Sequence, residues 1–343
     1  MARLNAWAVQ ATVSISQNKR HLMSNDKRFL KHSGAEHPII CGPMYPCSNP
    51  ELVAAVSAAG GLGIIQPISL TYVHGYSFKS GLSYIQSLTD KPVGMNLLIE
   101  GSSRKYRSRM ENWLNIALEE GINFFITSMG KPDWVVKLVH DAGAFVYHDV
   151  TESKWAEIAS DAGVDGLIAV NNKAGGHAGR LNSEQLLSDL KRFKLPIVCA
   201  GGVADVNEYR SVLKQGYQAV QMGTRFIATK ECNASTNYKQ AIIQAHASDI
   251  VLSERITGVP VSVINNAYVQ RKGLTPNKIE RLMLKHPKLK HLMRMLLALQ
   301  SLYSLKRSLK GEQSTNDYWQ AGKSVETIDS ILSVQSIINS YTE

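Results

Sequence analysis

The sequence predicts an α/β fold, a (β/α)8 TIM barrel with a smaller helical domain near the C-terminus. Three observations carry this. Short apolar runs alternate with helical patterns between His37 and Thr229, at Pro38–Cys41, Leu62–Gln66, Val93–Leu97, Ile122–Ile126, Ala144–His148, Gly166–Val170, Ile197–Ala200 and Ala219–Met222. The runs are apolar almost throughout rather than at every second position, which is the pattern of parallel strands buried on both faces. The intervening patterns, at 50–59, 78–88, 107–120, 133–142, 152–162, 183–193 and 205–215, often end in glycine, as in Asp141-Ala142-Gly143 and Asp161-Ala162-Gly163. Glycine adopts the left-handed conformation that closes a helix. Eight regular units with no evident switch point favour a closed barrel over a doubly wound open sheet.

Residues 34–229 are therefore the expected barrel core, and 230–317 a helical, basic domain. Within the latter, 231–247 and 276–310 read as helical, with Pro287 expected to divide the second stretch. Leu289, Leu292, Leu296, Leu299 and Leu302 form an apolar stripe, and Lys288, Lys290, Arg294 and Lys306 lie off it. The favoured reading of this stripe is a helix packed on the barrel with a solvated basic face. Residues 318–343 are expected to return to the barrel as a loop and an amphipathic helix over Ser324–Tyr341. Residues 1–33 are read as a poorly ordered extension, because Met1 to Asn25 carries no acid and no compact apolar core; a targeting segment and a later start are the alternatives.

Composition excludes several classes. With 44% hydrophobic and 19% charged residues, the bulk of the chain has the makeup of a folded globule rather than a disordered one. No apolar run approaches the ~20 residues that span a bilayer. Cys41, Cys47, Cys199 and Cys232 have no CxxC spacing, which argues for free thiols in a reducing, cytoplasmic setting and against a disulfide or zinc framework. The net charge of +10 resides in one place: residues 271–310 hold 11 Lys or Arg and one acid, Glu280, and the remainder of the chain is neutral. That segment has only Tyr303 as an aromatic and no reader motif, so nucleic acid is not the expected partner.

The chemistry is expected where parallel strands end. Ala174-Gly175-Gly176-His177-Ala178-Gly179 follows the sixth run, and its glycines let the main chain approach a flat ligand while presenting a titratable ring. A glycine-rich turn with a solvated His is the other reading of the same residues. Ala200-Gly201-Gly202-Val203 and Met222-Gly223-Thr224-Arg225-Phe226 end the seventh and eighth runs, where such barrels hold phosphate on backbone N–H groups. Cys41-Gly42-Pro43-Met44 leaves the first run, and Gly94-Met95-Asn96-Leu97 buries an amide that needs a partner. Thr127-Ser128-Met129-Gly130 and His148-Asp149-Val150 complete a ring of polar residues.

Taken in order, these motifs resemble the FMN-dependent nitronate monooxygenases, formerly called 2-nitropropane dioxygenases, which are similar in turn to the flavin-dependent enoyl-acyl-carrier-protein reductases. The likeness runs from about Pro38 to Arg255, with an echo in Tyr318-Trp319-Gln320-Ala321-Gly322-Lys323. It implies FMN on the C-terminal face of the barrel. Gly42, Pro43 and Met44 would border the isoalloxazine and Asn96 would reach its polar edge, with Ser128 and His148 as further contacts. Gly176 would lie over the ring, and Gly201, Gly202, Gly223 and Thr224 would hold the phosphate. His177 would be the catalytic base or hydrogen-bond donor. The chain departs from the family at Val170-Asn171-Asn172-Lys173, where Gln, Gly, any residue and Glu are usual. Lys173 is either an attractor of anionic substrate or a surface lysine.

The resemblance implies an FMN-dependent oxidoreductase that oxidises alkyl nitronates with O2. NAD(P)H-dependent reduction of an enoyl thioester is the alternative, with an acidic carrier protein steered by the basic segment. A non-enzymatic flavin-binding protein with an anionic partner is the third reading. A homodimer is the assembly to test.

Overall fold

The computed structural model describes residues 26–99, 104–255, 259–286 and 318–343, together with positions 289, 293 and 297. Eight parallel strands close into a barrel in sequence order: β1 (Ile39–Cys41), β2 (Leu62–Ile65), β3 (Val93–Leu98), β4 (Phe124–Ser128), β5 (Phe145–Val150), β6 (Gly166–Val170), β7 (Ile197–Ala200) and β8 (Ala219–Met222). Closure is made by β8 on β1, where Cys41 faces Met222. The connecting helices are α2 (Pro50–Ala58), α3 (Phe78–Leu88), α4 (Arg104–Glu119), α5 (Asp133–Asp141), α6 (Ser153–Asp161), α7 (Ser183–Leu190) and α8 (Val206–Gln215). Local sequence explains their starts. The Asp205 carboxylate accepts from the Glu208 backbone N–H while Glu208 reaches back to the Asp205 N–H, and Asn182 with Gln185 does the same for α7.

Two apolar layers hold this together. One lies between strands and helices; the other fills the lumen with Ile40, Leu62, Ile64, Phe124, Ile126, Tyr147, Ile168, Val198 and Ala219. The lumen layer corrects the expected N-terminal boundary. Residues Arg28–Ser33 form a helix, α1, and its Phe29 is fully buried edge-on to Phe124 and Tyr147, with ring centroids 6.0 and 6.1 Å away. The chain before residue 34 thus supplies the plug at the N-terminal end of the barrel; residues 1–25 lie outside the described residues.

After the short helix α9 (Thr224–Ile227) and α10 (Thr236–Gln244), the expected helical domain is met in part, with an unexpected ribbon inserted in it. Ile250–Ser253 (β9) and Val261–Ile264 (β10) pair as an antiparallel ribbon. It packs Val261 and Val263 on Val269 of α11 (Ala267–Lys272) and on Tyr318. Helix α12 (Lys278–Lys285) stops ahead of Pro287. Of the leucine stripe, Leu289 is 38% exposed, and Leu292, Leu296, Leu299 and Leu302 lie outside the described residues.

The long final helix expected over 324–341 is two elements. A 3-10 turn, Lys323–Thr327, precedes α13 (Val334–Thr342). The first expected turn is 3-10 rather than α, and the backbone is extended at Ile328 and again at the Ser333 cap. Helix α13 buries Val334, Ile337, Ile338 and Tyr341, and packs between α2 and α8. It therefore occupies the eighth helical position of the barrel, far downstream of β8. The Tyr341 hydroxyl donates to the Ala204 carbonyl at 2.6 Å and locks it there.

Candidate functional site

Side chains alternate across a strand, so the lumen layer identifies which residues line the barrel mouth. On β3, Met95 and Leu97 lie in the outer core, and Asn96 faces inward, 3% exposed, with no hydrogen-bond partner for its Oδ1 among the described residues. On β4, Phe124 and Ile126 fill the lumen and Ser128 continues their face. On β8, Gln221 stands two residues beyond the lumen residue Ala219, and its buried Oε1 also has no partner. Its Cγ lies 2.9 Å from where a Cβ on Gly42 would sit, so the glycine after β1 makes room for this amide. Gln66, beyond β2, is buried with its Oε1 accepting from the Ser69 N–H at 2.7 Å.

The same alternation corrects one expected contact. Tyr147 belongs to the lumen while Val146 and Val150 belong to the outer core, so His148 faces the helices and Asp149 faces the mouth. His148 is 4% exposed and its Nδ1 meets the Thr127 hydroxyl at 2.8 Å. Burial holds its imidazole at a pKa of about 4, so it is neutral at physiological pH. Asp149 has an Oδ1 shielded from solvent and without a partner, and burial raises its carboxyl to about 7. Sequence reasoning singled out His148, the member of this pair that faces the helices rather than the mouth. It also missed Gln221, although a Gln inside Ala219-Val220-Gln221-Met222 carries the signal used for Asn96.

Two glycine turns flank the mouth at β7 and β8. Gly201 and Gly202 are both left-handed, with φ of 108° and 75°. A Cβ on Gly201 would stand 2.5 Å from the Ala174 N and 2.7 Å from Asn171 Oδ1, and one on Gly202 would stand 2.6 Å from the Lys173 Cδ. The β6 and β7 loops are therefore in backbone contact. Asn171, at the departure from the family pattern, joins them: its Nδ2 donates to the Gly201 carbonyl at 2.8 Å, and its Oδ1 accepts from the Lys173 N–H at 2.8 Å. Gly223 precedes α9, and the Met44 sulfur lies 3.3 Å from where its Cβ would sit. Met44 thus links the β1 loop to the β8 loop, with Pro43 half-buried beside it.

Residues 318–323 lace across this end. Ile264 of β10 donates to the Trp319 carbonyl, the Tyr238 hydroxyl donates to the Gln320 carbonyl at 2.5 Å, and the Gly322 N–H donates to Thr224 Oγ1 at 3.0 Å. The Lys323 N–H donates to the Lys173 carbonyl at 2.9 Å, and a Cβ on Gly175 would meet the Gly322 N at 3.0 Å. Gly176, with φ of 67°, accepts from the Ser262 N–H of β10 at 2.7 Å. Loop 174–176 is thereby held from both sides, and His177 stands at its end. His177 is exposed and its ring makes no hydrogen bond among the described residues, yet desolvation by the surrounding protein lowers its pKa. Among the described residues there is no group of His, Cys, Asp and Glu arranged to bind a metal. No described helix is long and apolar enough to cross a membrane.

The sequence profile of the nitronate monooxygenases matches residues 27–343. The chain belongs to this family. Nitronate monooxygenases and their relatives are flavoenzymes. Among individual relatives, the nitronate monooxygenase of Pseudomonas aeruginosa is 29% identical over 276 residues, covering 67% of this chain and 77% of that protein. A Rhodococcus jostii protein, (3aS,4S,5R,7aS)-5-hydroxy-7a-methyl-1-oxo-octahydro-1H-indene-4-carboxyl-CoA dehydrogenase, is 28% identical over 237 residues, covering 69% of this chain and 65% of its own length. The chain thus spans less than two thirds of that relative. Among solved structures, FabK from Thermotoga maritima superposes with a TM-score of 0.76 at 27% identity, covering 92% of this chain and 94% of FabK.

Proposed function

We propose that this nitronate monooxygenase family member is an FMN-dependent oxidoreductase acting on small carbon acids, with alkyl nitronates as substrate and O2 as electron acceptor. The observation that carries the reading is the set of buried polar atoms at the mouth without partners, on Asn96, Asp149 and Gln221. Buried polar groups normally find hydrogen bonds, and three orphans converging on one opening fit a planar heterocycle with polar edges. The turn at Gly201 and Gly202 suits a phosphate, since main-chain N–H groups at positive φ are open to an anion, and Gly223 adds the N-cap position of α9. Thr224 keeps its hydroxyl proton free for such a group while its oxygen accepts from Gly322.

FMN, when bound, supplies a two-electron acceptor for the substrate carbon. The protein supplies the rest. Asn96, Ser128 and Gln221 would hold the ring edge, Gly42 and Gly176 would let it lie flat, and Met44 would border it. The depressed pKa of His177 leaves its imidazole as the free base near neutrality. It can take a proton from a carbon acid and then, as a cation, orient the resulting anion.

A second reading is favoured by Lys173, a cation where the family usually has a carboxylate. Its stem lies over Gly202, so it would add positive charge beside the glycine turns. This suits a substrate carrying phosphates of its own, such as a CoA thioester, and the R. jostii relative bears the name of a carboxyl-CoA dehydrogenase. One experiment separates the readings. The purified protein is mixed anaerobically with a nitronate, NADH, NADPH or an acyl-CoA in turn, and flavin absorbance is followed. Bleaching by nitronate supports the first reading, and bleaching by the acyl-CoA or a nicotinamide supports the second. Denatured protein that releases no FMN would sink both.

A further inference from the structure

We infer that Asp149 tunes the redox chemistry of the flavin site, taking up a proton when the flavin is reduced and returning it on reoxidation. The inference rests on the FMN reading above and concerns a residue to which the resemblance assigns no role. Its basis is placement. Asp149 follows the lumen residue Tyr147 by two positions on β5 and faces the mouth. The register Thr127↔His148 puts Ser128 directly across from it on β4, and Ile168 is its partner on β6. It therefore lies in the tier of residues that includes Asn96 and Gln221, and like them has a buried oxygen with no partner.

No counter-charge reaches it from the elements around it. Ser128 of β4, Ile168 and Val170 of β6, Ala200 of β7, Asn96 of β3 and Gln221 of β8 are all uncharged. On its own strand, Tyr147 is neutral, its hydroxyl pKa raised by burial, and His148 points outward. The ionisable groups of the adjoining loops are Lys131 after β4, Glu152 after β5, and Lys173, His177 and Arg180 after β6, and none of them displaces the Asp149 carboxyl; burial alone does. A carboxyl poised near neutrality and sharing a water-poor space with a ring that gains electrons must respond to them. Added negative charge raises its pKa further, because like charges disfavour the ionised form. The balance is simple: two electrons enter the flavin from the reductant, and one proton beyond those the flavin itself binds passes from solvent to Asp149. Conversely, ionised Asp149 makes the flavin harder to reduce.

The test is the midpoint potential of the bound flavin against pH, for the wild type, Asp149→Asn and Asp149→Ser, with FMN affinity measured in parallel. The wild-type profile should steepen above the pH at which Asp149 ionises in the oxidised protein. Asp149→Asn should lack that bend, agree with the wild type in acid, and be more positive at alkaline pH. Each pH unit over which Asp149 stays ionised in the oxidised form only should shift the reduction equilibrium about tenfold, about 30 mV for a two-electron couple. Superimposable profiles, or a wild-type profile without a bend, would overturn the inference even if a variant failed to keep its cofactor. Wild type that binds no FMN would instead overturn the flavin reading on which it rests.

Discussion

Replacing Gly201 by Ala tests whether the β6 and β7 loops form one rigid cradle. Two penalties apply. At φ of 108° an L side chain is strained, which costs about 1–3 kcal/mol. The new Cβ would also stand 2.5 Å from the Ala174 N and 2.7 Å from the Ala174 Cα. Those are backbone atoms, so no rotamer change relieves the contact, and overpacking of this kind adds about 1–3 kcal/mol. The sum is roughly 2–6 kcal/mol, or about 4–12 °C in Tm at about 2 °C per kcal/mol for a chain this large. Gly121 provides the control. Its φ is 86°, and a Cβ there would meet nothing within 4 Å, so Gly121→Ala carries strain alone, about 1–2 kcal/mol. Thermal unfolding followed by circular dichroism gives both shifts, and flavin fluorescence after filtration reports FMN retention. Gly201→Ala should lose more stability than Gly121→Ala and should also lose FMN. Equal shifts with FMN retained would refute the idea that these loops are locked against each other.

His177→Asn should keep FMN bound, and its turnover of a neutral nitroalkane should fall on the order of 10²–10⁴-fold, with a smaller loss on the preformed nitronate; full wild-type activity on both would make His177 a bystander. Asn171→Ala removes the bonds to the Gly201 carbonyl and the Lys173 N–H, leaving two backbone groups without that partner. It should cost about 1–3 kcal/mol in chemical denaturation and weaken FMN binding; wild-type values would show that the loops hold without it. His148, held at about 4 against an ordinary 6.5, binds its proton more readily in the unfolded chain. Its contribution to stability is therefore lost as pH falls from 6.5 towards 4, amounting to roughly 3 kcal/mol. Asp149, raised to about 7, acts in the opposite sense, losing stability as pH rises from 3.8 through 7. The wild-type curve mixes the two, so the measurement is the difference between wild type and His148→Gln across this range, and a pH-independent difference would contradict the buried, neutral assignment.

The barrel was legible because eight apolar runs and their glycine-ended helices each repeat one physical pattern. The parity of side chains was not. Strands buried on both faces show no polar alternation, so nothing in Val146-Tyr147-His148-Asp149-Val150 says which of His148 and Asp149 enters the lumen. Phe29 settles it in three dimensions by capping the lumen beside Tyr147. Glycine motifs at the mouth were visible because close approach demands glycine and leaves a mark in sequence. The β9–β10 ribbon was missed because each strand is four residues long and lies in a region read through its helical neighbours. Asn171 stood in view only as a departure, since its work is done through a partner thirty positions away that sequence does not connect.

The lacing of residues 318–323 across the mouth has a consequence for assembly in time. A chain emerging from the ribosome can close its eight strands once Met222 has appeared, about a hundred residues before Gly322 reaches Thr224. Until then the barrel has neither its eighth helix nor the strap that steadies Ala174 to Gly176, and its mouth is open on one side. On the flavin reading, cofactor capture would be postponed to the last stage of synthesis, and a nascent chain arrested anywhere in that interval would be a barrel without a workable site.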